Sequence, residues 1–184
     1  LPPRSNLWEL ARRGADLVVF SGGKEIGGPQ SSGLVVGASP LVEAARFNGA
    51  PFYGVGRPVK AGKENIAGFV AALDEYLEED EAARMRELTS IRDRWVDELR
   101  RLPDIEAGVF VPTQPGMHPT CIPKAYIRLK EATASAAKFQ ASLRSMNPCV
   151  LVDVWKDLVV LNPQTIREGE SEVVVKAIRS ALAR

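Results

Sequence analysis

The segment that most restricts this chain runs from Leu17 to Gly37. It opens with the apolar stretch Leu17-Val18-Val19-Phe20 and closes with Leu34-Val35-Val36-Gly37. Between them lies Ser21-Gly22-Gly23-Lys24-Glu25-Ile26-Gly27-Gly28-Pro29-Gln30-Ser31-Ser32-Gly33, with five Gly and one Pro. The flanks are short and β-branched, so the segment reads as two strands with a turn-rich loop at their tip. The first strand is apolar throughout, which predicts cover on both of its faces. Lys24 follows that strand directly and sits among glycines, which let a backbone approach a ligand closely. An amine leaving a buried strand end is desolvated, and desolvation favours its neutral, nucleophilic form. Three uses compete for such a lysine: a solvated loop cation, a phosphate-binding loop, and a lysine that condenses with a carbonyl cofactor. The phosphate loop needs Gly-Lys-Ser/Thr opening a helix, whereas Lys24 is followed by Glu25 and no helix signal.

The elements around this segment follow from period and punctuation. Residues 5–13 read as a short helix with Ser5 or Asn6 as cap. Residues 39–47 read as another, with Ser39 as cap and Pro40 at the first helical position. Residues 64–101 form a long helical region. Its apolar positions are Ile66, Phe69, Val70, Leu73, Tyr76 and Leu77, then Met85, Leu88, Ile91, Trp95, Val96 and Leu99. The acidic run 78–81 breaks or exposes it, and Pro103 ends it. Beyond lie strands over 105–111, 125–129, 149–154 and 158–161, and helices over 133–144 and 170–182. This is an α/β chain divided near the acidic run, with residues 1–80 as the end of a large α/β domain and residues 81–184 as a small α+β domain.

Composition narrows the function. The chain has 184 residues, 26% charged, with a formal net charge of +1. It shows no basic stripe, so binding to nucleic acid through bulk charge is not expected. Its apolar runs fall far short of the ~20 residues that cross a membrane. Two cysteines, Cys121 and Cys149, and one histidine, His118, have no metal-ligand spacing; no metal site is expected, and both thiols are expected to be unbridged in a reducing, cytoplasmic setting. His118 lies in a loop and is expected to be structural. Trp8, Trp95 and Trp155 read as packing anchors. The chain opens on Leu1-Pro2-Pro3, which reads like the interior of a longer protein.

A second segment carries charge in a pattern. Gly54–Lys63 reads GVGRPVKAGK, with Arg57, Lys60 and Lys63 spaced by three and no acid among them. A solvated basic loop would look like this. So would an anion pocket, in which an Arg fork grips phosphate or carboxylate, lysines add point charges, and the helix starting near Glu64 offers free N–H groups.

The string GADLVVFSGGKEIGGPQSSGLVVG resembles the cofactor-lysine segment of a pyridoxal-phosphate (PLP) family. That family contains L-seryl-tRNA(Sec) selenium transferase and D-glucosaminate-6-phosphate ammonia-lyase. The resemblance extends to LPPRSNL, LVEAARFNGAP, GRPVKAGKENIAGFVAALDEYL and LNPQTIREGESEVVVKAI, and so covers essentially the whole chain as the C-terminal half of such a protein. It implies the aspartate-aminotransferase type of PLP-dependent fold. Lys24 would hold PLP as a Schiff base and act as acid and base at the substrate's Cα. Ser21 would lie near the cofactor phosphate. Gln30, in the Gly27-Gly28-Pro29-Gln30 turn, would shape the site or touch the ligand, and Arg57, Lys60 and Lys63 would bind the substrate's anion. The family's selenium transferases carry Asp directly before the lysine and PQAG after it; this chain has Gly23 and PQSSG. That difference favours an ammonia-lyase-like enzyme, acting by β-elimination on a small anionic amine within a homo-oligomer. Seryl-tRNA selenium transfer and a non-catalytic, truncated or dimerisation module remain the alternatives. The acid for the pyridine nitrogen and the ring-stacking residue are not assignable here, so no turnover is expected from the chain alone.

Overall fold

The computed structural model describes residues 2–111, 121–130 and 135–183. His118 lies outside them, as do Thr133 and Ala134 of the helix expected over 133–144. The chain divides into two compact units, Leu1–Glu81 and Ala82–Arg184.

The first unit contains α1 (Asn6–Arg12), β1 (Leu17–Ser21), β2 (Gly33–Gly37), α2 (Ser39–Asn48) and α3 (Lys63–Glu78). Strands β1 and β2 pair antiparallel, with Leu17 opposite Gly37 and Ser21 opposite Gly33. The glycine-rich loop is therefore the tip of a hairpin, as its punctuation indicates. Period-two alternation turns Val18, Phe20, Leu34 and Val36 toward a small core with Leu7, Ile26, Phe69 and Tyr76. The opposite face carries Leu17, Val19 and Val35, and Val19 is 73% exposed. The expected cover on both faces of β1 is thus not met. The sheet has only two strands, and the core residues from α1 and α3 reach one side of it.

Helix α2 has Ala38, in extended backbone, at its N-cap, so Ser39 lies within the first turn rather than capping it; no α2 residue is buried. The long helical region is two helices, because Glu79 turns to an extended conformation (φ −57°, ψ 135°). The end of α3 is closed from far along the chain. Arg4 Nη1 donates to the carbonyls of Leu77 at 2.6 Å, Glu79 at 2.9 Å and Tyr76 at 3.3 Å, and the Arg4 amide donates to Glu81 Oε1 at 2.8 Å. These bonds occupy carbonyls that a helix terminus leaves without intrahelical partners.

The second unit contains α4 (Glu81–Leu99), β3 (Ile105–Phe110), β4 (Lys124–Leu129), α5 (Ala136–Arg144), β5 (Asp153–Trp155), β6 (Leu158–Leu161) and α6 (Glu170–Leu182). Its sheet is antiparallel in the order β3-β4-β6-β5. Ala107, Ala125, Ile127, Val159 and Leu161 meet Trp95, Leu99, Phe139, Leu143, Val174 and Ile178 from the helices. Leu99, Ile127, Leu143, Val159 and Ile178 lose all solvent contact, and burial of each such side chain contributes about 1.5–3 kcal/mol. Trp95 is the expected anchor, with Nε1 donating to the Ser171 carbonyl at 3.1 Å. Ser135 caps α5 by accepting from the Lys138 amide.

The strand expected over 149–154 is shorter and shifted. The Val150 amide donates to the Leu143 carbonyl at 3.1 Å, and the Val152 carbonyl accepts from Gln140 Nε2 at 2.7 Å. That stretch is therefore bonded to α5 and its end, and the ladder starts only at Asp153. On the sheet's other face, Tyr126 donates to Glu106 at 2.7 Å, and Arg128 bridges Glu106 at 3.1 Å and Asp157 at 3.0 Å. The Tyr126 hydrogen bond, aided by Arg128 and opposed by partial desolvation, holds the Glu106 carboxyl below the usual carboxylate range. Cys121 and Cys149 are both exposed and form no disulfide, and no group of metal-ligating side chains occurs among the described residues. No helix among them is long and apolar enough to cross a membrane.

Candidate functional site

Lys24 is fixed by its neighbours. The Gly27 amide donates to the Lys24 carbonyl at 2.9 Å, closing a turn in which Gly27 takes φ +78°, a conformation that glycine adopts without cost. Within that turn Ile26 points down into the core and is 4% exposed, so Lys24 is lifted outward. Two further bonds tie the loop to itself: the Gly22 amide to the Ser32 carbonyl and the Gly28 amide to the Gly22 carbonyl, each 2.9 Å. The Ser32 hydroxyl adds a bond to the Pro29 carbonyl at 2.6 Å.

The floor of the loop is α3. A Cβ on Gly22 would overlap Ser32 Oγ and lie 2.6 Å from Phe69 Cδ2, while one on Gly68 would lie 3.0 Å from Pro29 Cγ. Asn65 Nδ2 donates to Ser31 Oγ at 2.8 Å. Sequence reading did not single out Phe69, Asn65 or Ile26 for this role. The signal was present in α3: Asn65, Gly68, Phe69, Ala72 and Tyr76 fall on one helical face, and a glycine in that face marks a close approach.

The expected shielding of Lys24 is absent from this chain's described residues. Lys24 is exposed because the turn carries it away from the core, beyond the outer face of β1 on which Val19 is also exposed. Its side-chain amine makes no hydrogen bond or ion pair among those residues. Ser21 ends β1 on the same exposed face as Val19, and Gln30 is exposed at the far side of the loop. Arg57 is partly buried in a short 3-10 turn, Arg57–Val59, with its guanidinium 5.4 Å from the centre of the Tyr53 ring. Lys60 is exposed and extended. Lys63 is the first residue of α3, 4.0 Å from Glu64 and almost fully solvated.

Contacts through Asn65 and Ser31 bring the start of α3 against the glycine-rich loop, and Lys63 stands at that helix start. For Arg57 and Lys60 the structure shows only their place on the segment leading into α3. The turn leaves the Lys24 amine accessible while the Gly27 bond ties its backbone. Gly22 and Gly23 of the loop and Gly68 of α3 are accounted for by internal packing, whereas Gly27 has open space beside it.

Comparison with known proteins places this geometry. The L-seryl-tRNA selenium transferase family model matches residues 1–102. An L-seryl-tRNA(Sec) selenium transferase of Moorella thermoacetica is 31% identical over 189 residues, covering 92% of this chain and 38% of that protein. A 5'-C-glycyluridine monooxygenase-decarboxylase of a Streptomyces species is 38% identical over 94 residues, covering 51% of this chain and 23% of its own length. D-glucosaminate-6-phosphate ammonia lyase of Salmonella typhimurium is 25% identical over 173 residues, covering 90% of this chain and 43% of the enzyme. A solved D-glucosaminate-6-phosphate ammonia-lyase superposes with TM-score 0.68 at 23% identity, covering 94% of this chain and 45% of that one. The fold is thus that of the PLP-dependent transferases and lyases, and the chain spans about two fifths of the length of the selenium transferases it matches.

Proposed function

The chain belongs to the L-seryl-tRNA selenium transferase family, and on that premise we propose that it carries the cofactor lysine of a PLP-dependent lyase. The substrate class is a small anionic amine that bears a leaving group on Cβ. Proteins of this family and fold are PLP-dependent enzymes. The chemistry the bound cofactor supplies is an electron sink for charge developing at Cα.

The residues of this chain divide the remaining work. Lys24 Nζ would hold the cofactor covalently. With the cofactor bound, Nζ would be the group that takes the Cα proton of the substrate. As that proton leaves, the bond from Cβ to its hydroxyl breaks. The hydroxide departs with a proton as water, and the unsaturated amine then hydrolyses to a keto acid and ammonia. Ser21 donates to the cofactor phosphate. Arg57, Lys60 and Lys63 bind the substrate's phosphate or carboxylate, Arg57 through its two-pronged guanidinium. Gln30 shapes the rim opposite Lys24.

The observation that carries the lyase reading is Gly23. A Cβ at this position would lie 2.6 Å from the Cα of Gln30, a backbone atom that cannot swing aside. The aspartate that selenium transferases carry directly before their lysine does not fit this loop, so the chain departs from the selenium-transferring pattern at the residue next to the amine. Transfer of selenium to seryl-tRNA is the second reading, favoured by the 31% identity to the Moorella protein.

The test is reductive trapping. The protein is incubated with PLP, reduced with borohydride and digested, and the pyridoxyl group is located by mass spectrometry. A tag at Lys24, lost in Lys24→Arg, is the expected result; a tag on another lysine, or none, removes the assignment. A change in the cofactor's absorption on adding D-glucosaminate 6-phosphate, with none on adding seryl-tRNA, separates the lyase from the transferase.

A further inference from the structure

The Lys24 turn is joined to α3 through a series of short contacts. The Gly27 amide closes the turn on the Lys24 carbonyl, and the Gly28 amide donates to the Gly22 carbonyl, so the turn is fastened at both of its ends. The returning limb of the loop then holds the turn. Its Ser32 carbonyl accepts from the Gly22 amide, and the Ser32 amide and hydroxyl both reach the Pro29 carbonyl, at 3.1 and 2.6 Å. That limb meets α3 at two points. Pro29 lies against Gly68, where a Cβ would come within 3.0 Å of its ring, and the Ser31 hydroxyl oxygen accepts from Asn65 Nδ2 at 2.8 Å.

The two points constrain the loop differently. Contact between Pro29 and Gly68 is apolar and sets how closely loop and helix approach. A hydrogen bond is directional, so Asn65 also fixes where along α3 the returning limb sits. Asn is a weaker helix former than Ala, Glu or Lys, and its presence in the first turn of α3 is not explained by the helix alone. Lysine reaches out on a flexible four-carbon stem, so any constraint on its amine has to come from the backbone that carries it.

We propose that Asn65 is a positioning residue for Lys24. By holding Ser31, it fixes the loop from which the Lys24 turn hangs, and with it the place of the amine relative to Ser21 and to the start of α3. This role rests on the reading of Lys24 as the cofactor lysine. PLP is gripped at two ends, its aldehyde by an amine and its phosphate by donors elsewhere. The two grips reinforce each other only when the separation between them is held. Asn65 itself does not touch cofactor or substrate; it acts through Ser31.

The test reads loop and amine separately. Amide hydrogen exchange over residues 22–32, without cofactor, follows the loop. For the amine, the protein is treated with limiting PLP and borohydride, and the pyridoxyl at Lys24 is counted against that at Lys176, an exposed lysine of α6. Asn65→Ala should speed exchange of the Gly22 and Gly28 amides about three- to tenfold, as the loss of one hydrogen bond would, and lower the Lys24-to-Lys176 ratio about threefold or more. Ser31→Ala should do the same, and the double variant should do no more than either alone. Asn65→Asp should restore the exchange rates, because the Ser31 hydroxyl can donate to a carboxylate of the same reach. Unchanged exchange in α6 shows that each variant is folded. Faster loop exchange with an unchanged ratio overturns the positioning role, and so do effects of the two single variants that add. If the unaltered protein carries no pyridoxyl at Lys24, the cofactor reading falls and the proposal with it; if it does and Asn65→Ala leaves both readouts unchanged, the proposal alone falls.

Discussion

Replacing Gly22 by Ala tests whether the loop bearing Lys24 is held by the packing described above. At an unconstrained site, Gly to Ala stabilises by about 0.4–1 kcal/mol, because the unfolded chain loses freedom. At Gly22 the added methyl overlaps Ser32 Oγ and sits 2.6 and 2.9 Å from two carbons of the Phe69 ring. Forcing a methyl into a filled space costs about 1–3 kcal/mol. Turning Ser32 away also breaks its 2.6 Å bond to the Pro29 carbonyl, about 0.5–1.5 kcal/mol. The two costs outweigh the entropic gain, and the net is about 2 kcal/mol of destabilisation. Amide hydrogen exchange over residues 17–37 measures it locally, where a global melt would mix the two units. The pair Gly22→Ala with Ser32→Ala should cost less than the sum of the single changes, because the hydroxyl that clashes is gone. If Gly22→Ala protects these amides as well as glycine does, the loop does not rest on Ser32 and Phe69.

Three further outcomes follow from the second unit. Lys156, in the two-residue turn between β5 and β6, has φ 55°; Lys156→Gly should therefore stabilise by about 1 kcal/mol, read as a rise of a few degrees in the unit's melting temperature. Leu143 has no solvent exposure, so Leu143→Ala should cost about 2–5 kcal/mol in urea unfolding. Lys124 is 1% exposed, and burial, partly offset by Asp153, pushes its ammonium below the usual lysine range. The unfolded chain then holds this proton to higher pH than the folded one, so stability rises with pH between the lowered folded value and the ordinary one near 10.4. Lys124→Met should flatten that rise and stabilise the protein at neutral pH. An unchanged alkaline slope would remove the argument.

What was legible in the sequence was whatever depends on neighbours in the chain. The two flanks of the glycine-rich loop pair as a hairpin because their length and β-branching leave few alternatives. The acidic run does end α3. What escaped depends on residues far away. The alternation of β1 marks two faces but does not say that only one has a helix to meet, so Val19 was expected to be buried. Ile66, Val70 and Leu77 look like core by period, yet the core of the first unit is satisfied by Phe69 and Tyr76 on the adjoining face. Residues 149–152 look like strand by composition, but α5 and its end take their backbone bonds. At the site, Lys24 stood out by its setting. The helix beneath its loop did not, since the link runs through a ring at Phe69 and an amide at Asn65 that carry no chemical signature of their own.

Phe69 and Asn65 belong to α3, so the loop that carries Lys24 is referenced to a helix as well as to the sheet whose strand precedes it. A roll of α3 about its axis would press on the loop at Gly22 and Ser31 and so shift the segment that bears the amine. A probe attached at position 24 would therefore report on the orientation of that helix together with the state of the hairpin.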